Sequence, residues 1–359
     1  MLQPDSPTPA PDLPLATRQE EEATAVALRR WKRAGVLQWL FAIGLFTYVA
    51  FLKYGADRWG WATVLAYAPR WPTLLPAVVI LLGALIFRRK PWLTIFATLV
   101  AGVWLMDVRV PVPRFGHGTT PLRILTLNAD GGSTAGRGTD LERIGKLIAE
   151  TRPNIIFFQE WRRGTPPPLP GDVQWNVRRE SSHMIVTRLP VDSVAMLPPT
   201  KLKGGSGVFG ASVTFPDGKQ GWLFTPHMET PRGAFNKVLR RDPQALEFTA
   251  ENAERRLEVS QAALAWMRDL AGDAEVLIGG DFNLVGDGHI FRSTWASAFG
   301  DAFATAGWGT GGTKLQDYWR VRIDHILTGR AWRARKCWVG QDVGSDHLPL
   351  IADVERVGD

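Results

Sequence analysis

Residues 275–283 read E-V-L-I-G-G-D-F-N, an apolar run, two glycines, and then Asp281 and Asn283 either side of a phenylalanine. The first four residues are patterned as a buried strand. Asp281 and Asn283 lie two apart, so on an extended segment their side chains face the same way. A strand end is where a rigid scaffold holds functional groups at an open edge. The same pattern recurs along the chain. Leu127-Asn128-Ala129-Asp130 closes the strand-like stretch 123–128, and Gln159-Glu160 closes a short buried strand at 154–158. Thr225-Pro226-His227 closes a strand expected over 221–226, and Ser345-Asp346-His347 leads into the last one, 349–354. Arg322-Ile323-Asp324-His325-Ile326 opens another at 323–328. Further strands are expected at 184–187 and 207–214, with helices over 140–150 and 244–271, where apolar positions recur at helical spacing. The texture is mixed α/β.

These polar residues suit phosphoester hydrolysis. That reaction needs a hard cation on the phosphate oxygens, a group to aim water, and donors for developing charge. Magnesium takes oxygen ligands and keeps several waters, so Asn128 with Glu160, and Asp346 as a further contributor, meet its needs. Of Asp281 and Asn283, one would orient water and the other hold a phosphate oxygen. His227 and His347 would donate to phosphate or act as general acid and base. Asp324 is the natural orienter of His347, because a histidine needs its second nitrogen fixed to keep one tautomer. His325 would point to the opposite face of its strand from Asp324, in a structural or exposed role. His183 begins the strand H-M-I-V-T and would border the site. Arg232 follows His227 closely enough to meet a phosphate, although a solvated loop arginine is the plainer reading. Taken singly, an acid or amide beside glycine often only makes a turn; the set is far more specific than any member.

Ahead of this domain the composition changes. Residues 1–33 hold five prolines, an acidic run at 20–22 and balanced charge, which reads as a disordered cytoplasmic tail. Uncharged stretches follow at 34–52, 71–87 and 91–106, read as about three transmembrane helices within a membrane region, 34–107. Basic clusters at 29–33 and 88–90 flank them. If both stay cytoplasmic, everything after the third span lies outside. Residues 108–120 read as a linker and 121–359 as the catalytic domain. The net charge of +7 gathers around the apolar spans: residues 34–109 carry +5, and the 250 residues after them only +2. The basic balance is therefore weak support for nucleic-acid binding. One cysteine, Cys337, excludes an intramolecular disulfide and a cysteine-cluster metal site.

In order and spacing, N…QE…H…GDFN…D…SDH resembles the endonuclease/exonuclease/phosphatase superfamily, the fold of deoxyribonuclease I, exonuclease III-type repair enzymes and neutral sphingomyelinases. The resemblance runs from Pro121 to the C-terminal end, with G-G-D-F-N and S-D-H-L-P its most telling pieces. It implies a four-layer α/β/β/α sandwich with the site at one edge of paired sheets. It also implies a magnesium (or manganese) ion held by Asn128 and Glu160, His227, Asp281 and Asn283 on phosphate and water, and Asp324 supporting His347 beside Asp346. Whether histidine or aspartate is the general base stays open. Abasic-site endonucleases present a tyrosine where this chain has Ser181, Ser182 and His183, which argues against that repair role. The charged stretch 229–251 looks like an insertion that would shape the substrate pocket, and the preceding spans resemble the superfamily's membrane-anchored bacterial branch.

The reading that follows is a metal-dependent hydrolase held in the cell membrane, multi-pass, with its catalytic domain outside. Its partners would be the lipid bilayer and a phospholipid or lipid-linked phosphate or pyrophosphate. A tethered nuclease acting on DNA or RNA is the alternative; it would need a basic, aromatic-bearing groove. A non-catalytic binding or resistance protein is disfavoured, because every expected polar position is filled.

Overall fold

The computed structural model describes residues 15–86, 90–111, 121–129, 139–197, 207–315 and 319–357. Asp130 of the first motif lies outside them.

The strand read first, β8 (Glu275–Asp281), lies inside a six-stranded mixed sheet. Its neighbours are β7 (Gln220–His227), parallel, and β12 (Asp324–Thr328), antiparallel. The order is completed by β5 (Val191–Leu197) and β6 (Gly207–Thr214) beyond β7, and by β9 (Gly300–Asp301) beyond β12. Register brings the chemistry together: His227 and Asp324 both pair with Asp281, so three separated motifs end level at one sheet edge.

A second six-stranded sheet is built around β1 (Leu122–Asn128) and β2 (Ile155–Gln159), which run parallel with Asn128 opposite Gln159. β3 (Asn176–Glu180) and β4 (His183–Thr187) extend it on one side, and β13 (Trp332–Val339) and β14 (Leu350–Arg356) on the other. The short pair β10 (Lys314–Leu315) and β11 (Arg320–Val321) stands apart from both sheets.

Apolar burial explains the layering. Ile124, Ile155, Phe157 and Ile185 of one sheet form a core with Phe209, Leu223, Leu277 and Ile326 of the other. Gly279 is required here, since a Cβ would lie 2.3 Å from the Phe157 ring. On the outer face of the β8 sheet, Val259, Ala263 and Met267 of α7 (Ala245–Ala271) cover Phe224, Ile278 and Leu327. On the other outer face, Ile144, Leu147 and Ile148 of α5 (Leu141–Thr151) cover Leu125, Ile156 and Phe158. α5 starts where sequence placed it, because the Asp140 carboxylate accepts from the Glu142 and Arg143 amides. The molecule is thus an α/β fold with two mixed sheets, layered helix, sheet, sheet, helix. The minor helices are α6 (Arg232–Leu239), α8 (His289–Ser293), α9 (Trp295–Ala298) and α10 (Ala302–Ala306).

The N-terminal region departs from expectation. α1 runs from Leu15 to Gly55, so residues 15–33 are helical where a disordered tail was expected. Their Glu, Ala, Gln and Arg content favours helix once an apolar helix propagates into it. Residues 1–14 lie outside the description. Gly35–Gly55, 21 residues with mean hydropathy 1.8, is long and apolar enough to cross a membrane. Among the described residues the expected second and third spans do not form single helices of that length, although the stretches 60–67 and 71–86 reach it together as a bent pair. α3 (Leu75–Ile86) and α4 (Trp92–Leu105) have 12 and 14 residues, about 18 and 21 Å of helix against a hydrocarbon core of about 30 Å. α2 (Gly60–Tyr67) joins the helical stretch 71–86 only through a 92° bend, which Pro69 and Pro72 account for.

The chain divides into two compact units, Met1–Thr47 with Thr73–Gly102, and Tyr48–Pro72 with Val103–Asp359. Residues 48–72, which sequence grouped with the membrane region, thus belong to the catalytic unit. Ala56, Ala66 and Tyr67 share a small core with Val285 and Ile323.

Candidate active site

Asp281 is buried at the end of β8, and the Asn128 side-chain amide donates to its Oδ2 at 3.0 Å and to Glu160 Oε1 at 3.2 Å. Two sheets and three strand ends therefore meet at one amide. Glu160 and Asn283 both take positive φ, 53° and 50°, a conformation that costs non-glycine residues about 1–3 kcal/mol and gathers at functional sites. In Asn283 the turn is held by several bonds. Its N–H donates to Asp281 Oδ1 at 2.9 Å, its amide to the Met228 carbonyl at 2.9 Å, and its own carbonyl accepts from the Tyr67 hydroxyl at 2.8 Å. His227, a fifth exposed, points Nε2 at Glu160 (3.5 Å) and Asp281 (3.8 Å).

His347 is buried, and its Nδ1 lies 2.8 Å from Asp324 Oδ2. Nε2 faces Asp281 Oδ2 and Asp346 Oδ1, each at 3.7 Å. Burial would discharge both members of this pair, but each partner's charge overrides it. His347 is held above the ordinary histidine range by Asp324 and Asp281 despite burial, and Asp324 is held below the carboxylate range by His347 despite burial. Asp281 is shifted the other way. Burial, with the nearby Asp324 charge, pushes it up against the pull of His347, His227 and Asn128. His347 Nε2 and Asp281 Oδ2 thus face each other at 3.7 Å, an arrangement that suits proton exchange with a reacting oxygen placed beside them.

All eight residues singled out from sequence (Asn128, Glu160, His227, Asp281, Asn283, Asp324, Asp346 and His347) converge here. Asp346 arrives with a companion that sequence did not suggest. Its Oδ2 is ion-paired with the ammonium of the buried Lys314, and Arg232 stands 3.9 Å away. His325 is structural, fully buried, with Nε2 2.9 Å from the Leu284 carbonyl and its ring stacked on Phe291. His183 is buried 6.3 Å from His227, ring to ring, and burial with that neighbour drops it to about 3, so it stays neutral.

Asn128, Glu160 and Asp281 fit a hard divalent cation. Two carboxylates converge where only the amide's hydrogens separate them, and oxygen donors of this kind select magnesium or manganese. The ligand atoms of Asp281, Asp324 and His347 also lie within 4.8 Å of one another and could hold a metal. There, however, the 2.8 Å His347–Asp324 bond already satisfies two of the three groups.

Sequence missed several supports. Ser345 donates to the Asn128 carbonyl at 2.7 Å and accepts the His347 N–H at 3.0 Å, fixing two site segments at once; its place in S-D-H was the available signal. Gln159 bridges the sheets, its amide reaching Thr126 at 3.2 Å and Thr225 at 2.7 Å. Tyr67 and Arg256 had no signal. The Arg256 guanidinium donates to the Tyr67 hydroxyl at 2.7 Å and also to the Asn283 carbonyl, and it pairs with buried Asp57 at 3.6 Å. A cavity of about 680 Å³ opens from the polar cluster.

The model of a family described as the Endonuclease/Exonuclease/phosphatase family matches residues 125–347. No curated protein matches the chain. Among solved structures, an endonuclease/exonuclease/phosphatase family protein from Bacteroides thetaiotaomicron is similar at 16% identity and TM-score 0.52, covering 66% of this chain and 95% of that one. Humanized TDP2 from D. rerio is similar at 17% and 0.50, covering 66% and 100%. An endonuclease/exonuclease/phosphatase from Beutenbergia cavernae is similar at 15% and 0.50, covering 67% and 72%. At these identities the likeness is one of fold.

Proposed function

The chain belongs to the endonuclease/exonuclease/phosphatase family, and from that premise we propose that it is a membrane-anchored, magnesium- or manganese-dependent hydrolase of a phospholipid or lipid-linked phosphate or pyrophosphate. Members of the family are phosphoester hydrolases that use divalent metals. The cation, when bound by Asn128 and Glu160, would neutralise phosphate oxygens. The remaining roles fall to the chain's own groups. Asp281 and Asn283 aim the attacking water from one side of the turn. His227, the more open histidine, donates to a phosphate oxygen. His347, kept in one tautomer by Asp324, passes a proton through Nε2 as the water oxygen bonds to phosphorus and the ester oxygen departs.

One observation carries the lipid assignment. The segment directly after the candidate span packs within the catalytic unit, and its Tyr67 bonds the backbone of Asn283. Tyr67 follows Gly55 by 12 residues, so the site cannot lie more than about 40 Å of chain from the end of the span. Substrates embedded in the bilayer are therefore the ones within constant reach. The same packing supports the topology. Residues 56–72 and 103–359, which pack in one unit, would then share one side of the membrane, with the chain between them crossing an even number of times. With the basic cluster 29–33 inside, that side is the outer one.

The test is hydrolysis by the full chain in nanodiscs with magnesium, offered polyprenyl pyrophosphate, phospholipid, and single- and double-stranded DNA in parallel. The expected result is turnover of a lipid phosphate that Asp281→Ala and His347→Ala each reduce at least about 10³-fold. Turnover of DNA alone would replace this reading with that of a tethered nuclease.

A further inference from the structure

The cavity at the catalytic cluster has two unlike ends. Glu160, His227, Asp281, Asn283, Lys314 and His347 form one. The other is apolar and comes from two segments absent from the strand motifs: Val64, Tyr67 and Pro69 of the stretch after the candidate span, and Phe235, Val238 and Leu239 of α6. The Tyr67 and Phe235 rings lie 5.1 Å apart, which closes the seam between the segments. A site for a soluble phosphoester has no use for an apolar wall of this size beside its phosphate-binding groups. Large apolar side chains also stand in the open at Leu239, which lines the cavity, and along the segment after the candidate span. Leu239 is 80% exposed, and Trp59, Trp61 and Trp71 are each about half exposed. Tryptophans so placed favour the membrane–water interface. Leu246, also exposed, meets the backbone at Gly60, so α7 continues this surface.

We propose that the apolar end is a chain-binding subsite. It takes the first part of the acyl or prenyl chain of the substrate, while the phosphate sits against the catalytic cluster. This rests on the lipid-phosphate reading and adds to it where the chain runs and what selects it. The segment after the candidate span then does more than link: Val64, Tyr67 and Pro69 are part of the binding site. At about 0.8 kcal/mol per buried methylene, each carbon that enters the subsite raises affinity about fourfold.

The experiment compares butyl, octyl and dodecyl phosphate with the full chain in nanodiscs. Binding is measured by calorimetry on the Asp281→Ala protein, and turnover of the matching alkyl phosphodiesters on the wild type. Leu239→Asp and Val238→Asp serve as subsite variants; Leu239 is exposed and outside the catalytic cluster, so its replacement leaves the fold intact. Expected is tighter binding and higher kcat/KM with chain length in the wild-type site. In Leu239→Asp that dependence should flatten, the gain from butyl to dodecyl falling at least about tenfold. Partition into the disc is common to all variants and cancels. Turnover that is independent of chain length would overturn the subsite and leave the hydrolase reading standing. Chain-dependent binding with no turnover of any lipid phosphate would do the reverse.

Discussion

At the scale of residues, the decisive unit is Asp324 with His347. It sets both chemistry and stability. Asp324 is depressed, so its stabilising contribution is present above the ordinary carboxylate range and lost as pH falls through the lowered value. His347 is raised, so its contribution is fully present below about pH 6.5 and lost as pH rises through the raised value. The pair therefore stabilises most in the weakly acidic window between them. Asp324→Asn should cost about 3–5 kcal/mol there, since it leaves a buried histidine uncompensated, and less in alkali, where His347 is neutral anyway. Thermal unfolding against pH measures this, and a flat difference would show the pair is misassigned. In the same variant the His347 titration, followed by NMR, should move below the ordinary histidine value. Turnover should fall about 10²-fold or more, with metal affinity nearly intact. These residues were legible in the sequence because each stands at or just before the start of an apolar strand. Lys314 was not, because nothing local distinguishes a lysine that will be buried against Asp346 from one in solvent.

At the scale of elements, the strands read from sequence were those buried on both faces or paired on both sides: β1, β2, β4, β6, β7, β8, β12 and β14. Of the ones missed, β3, β5, β9 and β13 are edge strands, and β10 and β11 form a separate short pair. An edge strand packs on one side only and keeps polar residues such as Arg178, Arg179 and Glu180, so its pattern blurs into loop. α6 shows the opposite lesson. The stretch 229–251 read as a pocket-shaping insertion, and α6 does line the cavity. α2 was invisible as a site element, yet through Tyr67 it steadies the strained Asn283 turn. Tyr67→Phe removes one hydrogen bond worth about 1 kcal/mol, and Arg256 still holds the carbonyl. The expected outcome is a fall in kcat of about five- to tenfold with KM and folding little changed. An unaltered kcat would make Tyr67 a packing residue only.

At the scale of the molecule, the catalytic unit does not begin where the composition changes. A fragment of residues 121–359 would uncover Val285 and Ile323 and leave Arg256 and Asp287 without Asp57 and Arg70, their buried partners. Removing one member of such a pair costs several kcal/mol. The fragment should therefore unfold at lower temperature than the same domain carrying residues 48–72. It should also be cut faster by protease near Asn283; equal resistance would mean the segment is a passenger. The sequence by itself determined the α/β class, most of the strands that end at the cluster and eight polar residues that the fold brings together, because continuous apolar runs and polar strand ends are local properties. Only the tertiary structure decided that, among the described residues, the apolar stretches yield one single helix long enough to span a membrane, with a second stretch bent by 92°. It alone also decided that the chain after that helix completes the site, because the Tyr67–Asn283 bond joins residues 216 apart in sequence, a contact that packing creates and no local pattern encodes.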